Sequence, residues 1–137
     1  MDPITGAELV GFVANRVWDP RWGVLKGRTL VVVSTSTGRI VDVDRSGAEP
    51  PADAVVVDAG PGSTLLPGLI DCHVHLTFDP GDDVLRQMQA DSDNALLAVA
   101  TQGARRALAA GVTTMRDLGD RNYVSLPLRD HLAVHPG

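Results

Sequence analysis

The chain reads as an α/β protein in two parts: a small antiparallel β-domain over residues 1–64, then a strand–helix–strand unit over residues 65–137. Three observations predict this. Between residue 9 and about residue 62, β-branched apolar runs alternate with turn residues. From about residue 94 to residue 110, apolar residues recur at helical spacing. Short apolar stretches flank that helix, and the first of them carries His73 and His75.

In the first part, Val10–Ala14 is a candidate strand, followed by a polar loop around Asp19–Gly23. Thr29–Ser34 has the β-branched composition of a buried strand. Thr35–Gly38 has turn chemistry, and Arg39–Asp44 returns with Val41 and Val43 on one face and Asp42 and Asp44 on the other. A loop with two consecutive prolines, Ser46–Pro51, leads to a last strand, Ala54–Asp58.

In the second part, the helix has Asp91, Ser92 or Asp93 available as its N-cap, and Leu97, Ala100, Ala104, Ala107 and Leu108 make its apolar face. Gly111 suits the left-handed cap that ends it. Val112–Asp117 is then a strand, expected to lie parallel to the one before the helix. A shorter helix is expected over Leu126–Val134.

Composition excludes several classes. A content of 44% hydrophobic and 21% charged residues describes a globular chain, not a disordered one. The net charge of −5 speaks against a nucleic-acid or anionic-membrane surface. No apolar run is long enough to span a bilayer, and no signal peptide is visible, so a cytoplasmic location is expected. The single cysteine excludes an internal disulfide.

The chemistry concentrates in Leu65–Leu76. A Pro67-Gly68 turn launches a strand on which Leu69, Asp71, His73 and His75 alternate with Ile70, Cys72, Val74 and Leu76. Two imidazoles one pleat apart, roughly 6.5–7 Å between α-carbons, can ligate one divalent metal. Asp71, on the same face, is placed to orient a neighbouring imidazole. Cys72 falls on the opposite face and reads as a packed core residue. Arg116 and Asp117, at the end of the next strand, are candidate rim residues or a structural ion pair. His131 and His135 share helical i, i+4 spacing but lack an accompanying glutamate, and read as solvated. The acidic clusters Asp82-Asp83 and Asp91–Asp93 lack calcium-loop spacing and read as solvated carboxylates at helix starts.

The stretch Pro67–His75 resembles the first-strand signature of the amidohydrolase superfamily, and Gly111–Gly119 resembles the second barrel strand of its imidazolonepropionase-like and Xaa-Pro-dipeptidase-like branch. The Gly111–Gly119 stretch speaks against the hydantoinase or dihydroorotase branch. The resemblance implies a metal-dependent hydrolase built on a (β/α)8 TIM barrel, of which residues 65–137 would be the first two β/α units. It implies that residues 1–64 are the N-terminal part of a β-sandwich built from both chain ends. Gly38–Ile40 and Val57–Gly60 fit that domain, while Thr37 departs from the acidic residue usual before the glycine.

By the same resemblance His73 and His75 hold a divalent metal, zinc in the first instance, with one or two ions in the complete enzyme. The substrate would be a small amide, dipeptide or cyclic amide whose C–N bond is hydrolysed. Many relatives bridge two metals with a carbamylated lysine; the sole lysine here, Lys26, precedes the histidines and cannot take that part. The family's later ligands, two histidines and an aspartate acting as general base, have no positions in these residues. A full barrel takes about 250 residues. The expectation is therefore an N-terminal portion, inactive alone. The alternative is a non-catalytic remnant, or one half of a split enzyme completed by a complementary chain.

Overall fold

A computed structural model describes residues 4–79, 81 and 83–134 of the chain, with Lys26 described by its backbone only. The chain divides into two compact units, one ending at Pro67 and the other beginning at Gly68.

The first unit is a four-stranded sheet of β1 (Leu9–Asp19), β2 (Gly23–Ser34), β3 (Arg39–Asp44) and β4 (Ala54–Asp58), in the order β3-β2-β1-β4. The tight turns at 20–22 and 35–38 reverse the chain, so β1, β2 and β3 are antiparallel neighbours. The expected antiparallel arrangement stops there, because β4 lies parallel to β1, from Leu9 opposite Ala54 to Val13 opposite Asp58. Its cause is the longer connection after β3, which carries the chain back along the sheet to the edge of β1 that β2 leaves open.

β1 is longer than its apolar run. Past a register shift between Ala14 and Arg16, residues Arg16–Asp19 continue the ladder against Gly23–Lys26. Val13, Leu30 and Val32 form the core with Leu9 against them, while Ile40, Val41 and Val43 of β3 are exposed. The Asp44 carboxylate accepts hydrogen bonds from the Ser46 hydroxyl and from the amides of Ser46, Gly47 and Ala48, which fixes the start of the loop to β4. Leu65 closes the unit by exchanging backbone hydrogen bonds with the end of β1, to Trp18 N–H and Arg16 C=O.

The second unit contains β5 (Leu69–Val74), α1 (Val84–Ala90), α2 (Asp93–Ala109), β6 (Val112–Asp117) and α3 (Ser125–Val134). β5 and β6 pair in parallel, as expected for a strand–helix–strand unit. Gly68 is required by close packing, since a Cβ there would lie within 3.0 Å of the side-chain atoms of Thr113. Ser92 caps α2, its hydroxyl accepting the Ala95 amide at 3.2 Å, and Gly111 takes φ +88° just beyond the helix end.

The buried stripe of α2 is Leu96, Ala100 and Ala104, spaced by four, with Leu97 and Met115 packed beside it. Leu108, expected on this face, is 58% exposed although it continues the spacing of four into the last turn of the helix. Small side chains at 100 and 104 let Leu76 and Leu128 approach closely. α1 was not anticipated. It buries no residue, its Val84, Leu85 and Met88 staying at least partly exposed, and its sequence mark is the Asp83 cap on the Arg86 amide.

Arg121 ties the end of α1 and the start of α2 to the loop after β6: its guanidinium donates to the carbonyls of Met88 and Asp91 and pairs with Asp93 at 2.8 Å. The Arg121 hydrogen bond, reinforced by the Asn122 amide, lowers the Asp93 pKa below 3.8, and the Ser46 hydroxyl and the loop amides do the same for Asp44. Groups depressed in the fold contribute stability above their unfolded pKa, and that contribution is lost as pH falls through the folded value. As pH falls through and below the ordinary carboxylate range, thermal unfolding should therefore show a falling Tm, and the combined variant Asp44→Asn, Asp93→Asn should have a shallower slope there. An unchanged slope would remove these two carboxylates from the acid response.

Candidate metal centre

His73 lies near the end of β5 and His75 just beyond it. Their ring centroids are 5.5 Å apart, edge to face at 67°. The two imidazoles are therefore neighbours, but strict strand alternation is not what places them. The β5–β6 register shifts between Asp71 and Val74, across Cys72 and His73. A correction concerns Cys72, which is exposed and not packed in a core: Leu69 to His73 are all exposed among the described residues, Ile70 on the same nominal face at 67%, so neither face of this part of β5 is covered.

His75 is held from three sides. Its Nδ1 lies 2.8 Å from the Gly119 carbonyl oxygen. A carbonyl can only accept, so Nδ1 carries the proton and Nε2 keeps the lone pair available to a metal. Phe78 stacks on the ring, with centroids 4.6 Å apart and planes 13° from parallel. Leu76, the next residue, buries its side chain against α2 and donates its amide to Asp117 Oδ2 at 3.2 Å.

Asp71 acts differently from expectation. Its Oδ1 accepts the backbone amide of His73 at 3.0 Å, so the carboxylate shapes the main chain that carries the imidazole instead of bonding the ring. Asp117 accepts the Gly119 amide at 2.8 Å as well as that of Leu76. Arg116 is exposed, and among the described residues no ion pair joins it to Asp117. The ion-pair reading of those two residues is thereby set aside.

Among the described residues no group of three or more His, Cys, Asp or Glu side chains is arranged to hold a metal. His131 is on α3 and not with this pair; His135, Asp82 and the Lys26 side chain lie outside the described residues. No helix among the described residues is long and apolar enough to cross a membrane.

A model of the amidohydrolase family matches residues 64–134, more than half of the chain and the whole of the region just described. The chain belongs to the amidohydrolase family. Solved structures with similar backbones include a prolidase crystallised with N-methylphosphonate-L-proline, 24% identical with a TM-score of 0.71 over 90% of this chain and 29% of that one. A molinate hydrolase is 25% identical with a TM-score of 0.73, covering 96% of this chain and 28% of its own. An ochratoxinase from A. niger is 23% identical with a TM-score of 0.64, covering 81% and 25% respectively. The chain thus spans under a third of the length of these proteins. No curated protein matches it.

Within this amidohydrolase chain, sequence reasoning found both histidines and both aspartates but not Phe78 or Gly119. Phe78 sits in a polar, turn-rich stretch, and a backbone carbonyl such as that of Gly119 carries no side-chain signal. What the sequence does offer is the glycine itself, which takes φ +117°, a conformation L side chains rarely adopt. Gly119→Ala should therefore cost roughly 1–3 kcal/mol of stability in urea denaturation. Gly62→Ala, where a Cβ would meet nothing within 4 Å and no positive φ is imposed, should cost much less. Equal effects of the two would mean that the Gly119 backbone is not the constraint described.

Proposed function

We propose that this chain is the N-terminal portion of a metal-dependent amidohydrolase, inactive by itself, that cleaves a C–N bond in a small amide, dipeptide or cyclic amide. Residues 65–137 would then be the first two β/α units of a (β/α)8 barrel, preceded by part of a β-sandwich in residues 1–64. The observation that carries the reading is the imidazole pair, with rings 5.5 Å apart and His75 Nδ1 committed to a carbonyl. Family membership and the hydrolases among its structural neighbours support the reaction class.

These residues fit a divalent metal as part of its ligand set. His73 and His75 are borderline-soft nitrogen donors of the kind zinc takes, and the Gly119 bond leaves Nε2 of His75 as the ligating nitrogen. A zinc ion or a pair of ions there would supply Lewis acidity, acidifying water and polarising the substrate carbonyl. The chain's own contribution is orientation. Asp71 sets the His73 backbone, Phe78 and Gly119 fix the His75 ring, and Asp117 holds the rim on which both depend.

Catalytic zinc sites use three protein ligands. The others, with the general base, would come from elements beyond these residues, in the same polypeptide or in a complementary chain. The prolidase among its neighbours favours a dipeptide as the first substrate class to assay.

In the complete protein, His73→Ala and His75→Ala should each lower bound metal per chain and abolish turnover of small amide or dipeptide substrates. Metal analysis and a hydrolysis assay on the same preparations check this. Variants that kept full metal content and turnover would overturn the assignment.

A further inference from the structure

We infer that Asp117 is a positioning residue for His75, fixing which ring nitrogen is free to bind metal; this rests on the metal-site reading above. Two backbone segments meet at the His75–Gly119 hydrogen bond, and Asp117 grips both. Its Oδ2 accepts the amide of Leu76, one residue after His75, and its Oδ1 accepts the amide of Gly119, whose carbonyl takes the Nδ1 proton. One carboxylate thus spans the ends of β5 and β6 and sets the separation across which the imidazole must reach.

The charge state suits the task. A carboxylate is acceptor-only, so both oxygens can face amides at once, whereas an Asn amide presents a donor to one of them. The remaining link between the segments here is the Leu118 amide to the Val74 carbonyl at 3.0 Å, which holds the strands but does not orient the Gly119 carbonyl. Phe78 restrains the ring plane and cannot choose between nitrogens, because a ring flipped by half a turn presents the same face area to it. The selection of Nδ1 as donor therefore comes through Gly119, and the place of Gly119 comes through Asp117.

The test reads the His75 tautomer directly, by long-range ¹⁵N–¹H correlation of the neutral ring in the isotopically labelled, metal-free complete protein. In the unsubstituted chain His75 should be the Nδ1–H form; an Nε2–H ring there overturns the inference. In Asp117→Ala the ring should shift to a mixture dominated by Nε2–H, the form a solvated imidazole prefers. A folded Asp117→Ala that keeps the Nδ1–H form overturns the inference. If Asp117→Ala does not fold, Asp117→Asn decides: a mixed population supports the inference and an unchanged one overturns it.

Asp120→Ala separates positioning from general loosening, since among the described residues Asp120 accepts the Val124 and Ser125 amides at the start of α3. It should leave the tautomer unchanged, and a shift as large as that of Asp117→Ala overturns the inference. Zinc titration of the complete protein supplies a second readout, with Asp117→Ala expected to weaken binding by about 10- to 100-fold. Absence of zinc binding in the unsubstituted protein would count against the proposed function while leaving the tautomer result standing, so the two failures are distinguishable.

Discussion

The Asp117 carboxylate accepts two backbone amides, Leu76 from the segment after β5 and Gly119 from the segment after β6. Parallel strands joined through a helix share no turn, so nothing local fixes how their ends sit together. Here a charged acceptor does it. Each such bond contributes toward the low end of roughly 1.5–3 kcal/mol, because the carboxylate is half-exposed. The energetic gain is modest. The geometric consequence is larger, because the Gly119 carbonyl then meets the His75 ring and commits one of its nitrogens.

Packing prepares this arrangement from the other side. The small residues Ala100 and Ala104 on α2 admit Leu76, so the residue after His75 is anchored by its side chain as well as its amide. Gly68 lets the start of β5 lie against Thr113 of β6 without a clash. Arg121 fastens the loop after β6 to the end of α1 and the start of α2, and Asp120 caps α3. Polar groups thus gather at the C-terminal ends of the two parallel strands, the region where α/β folds build their sites.

Much of this was legible in the residues themselves. The long helix, its Gly111 cap and the two flanking strands follow from periodicity and turn chemistry, and the closeness of His73 and His75 follows from their two-residue separation in sequence. The limits have specific causes. Alternation assigns Cys72 to a covered face, but among the described residues Leu69 to His73 are exposed on both faces, and what covers a strand is a non-local fact that period-two reasoning does not supply. The parallel placement of β4 depends on which sheet edge remains open, a non-local fact. Helix α1 has seven residues, so its Val84, Leu85 and Met88 cover too few turns to establish a period. Asp71 and Asp117 were identified by position, yet both act on backbone amides, which a reading of side-chain types alone does not reveal.

The account turns on whether His73 and His75 are the metal-binding pair, and zinc-edge X-ray absorption on the complete native protein, compared with its His73→Ala, His75→Ala double variant, tests that most directly. It predicts imidazole nitrogens in the metal shell at about 2.0–2.1 Å, with the imidazole signal diminished by two scatterers or the metal lost in the variant. A bound metal whose shell is the same with and without these two histidines would contradict it.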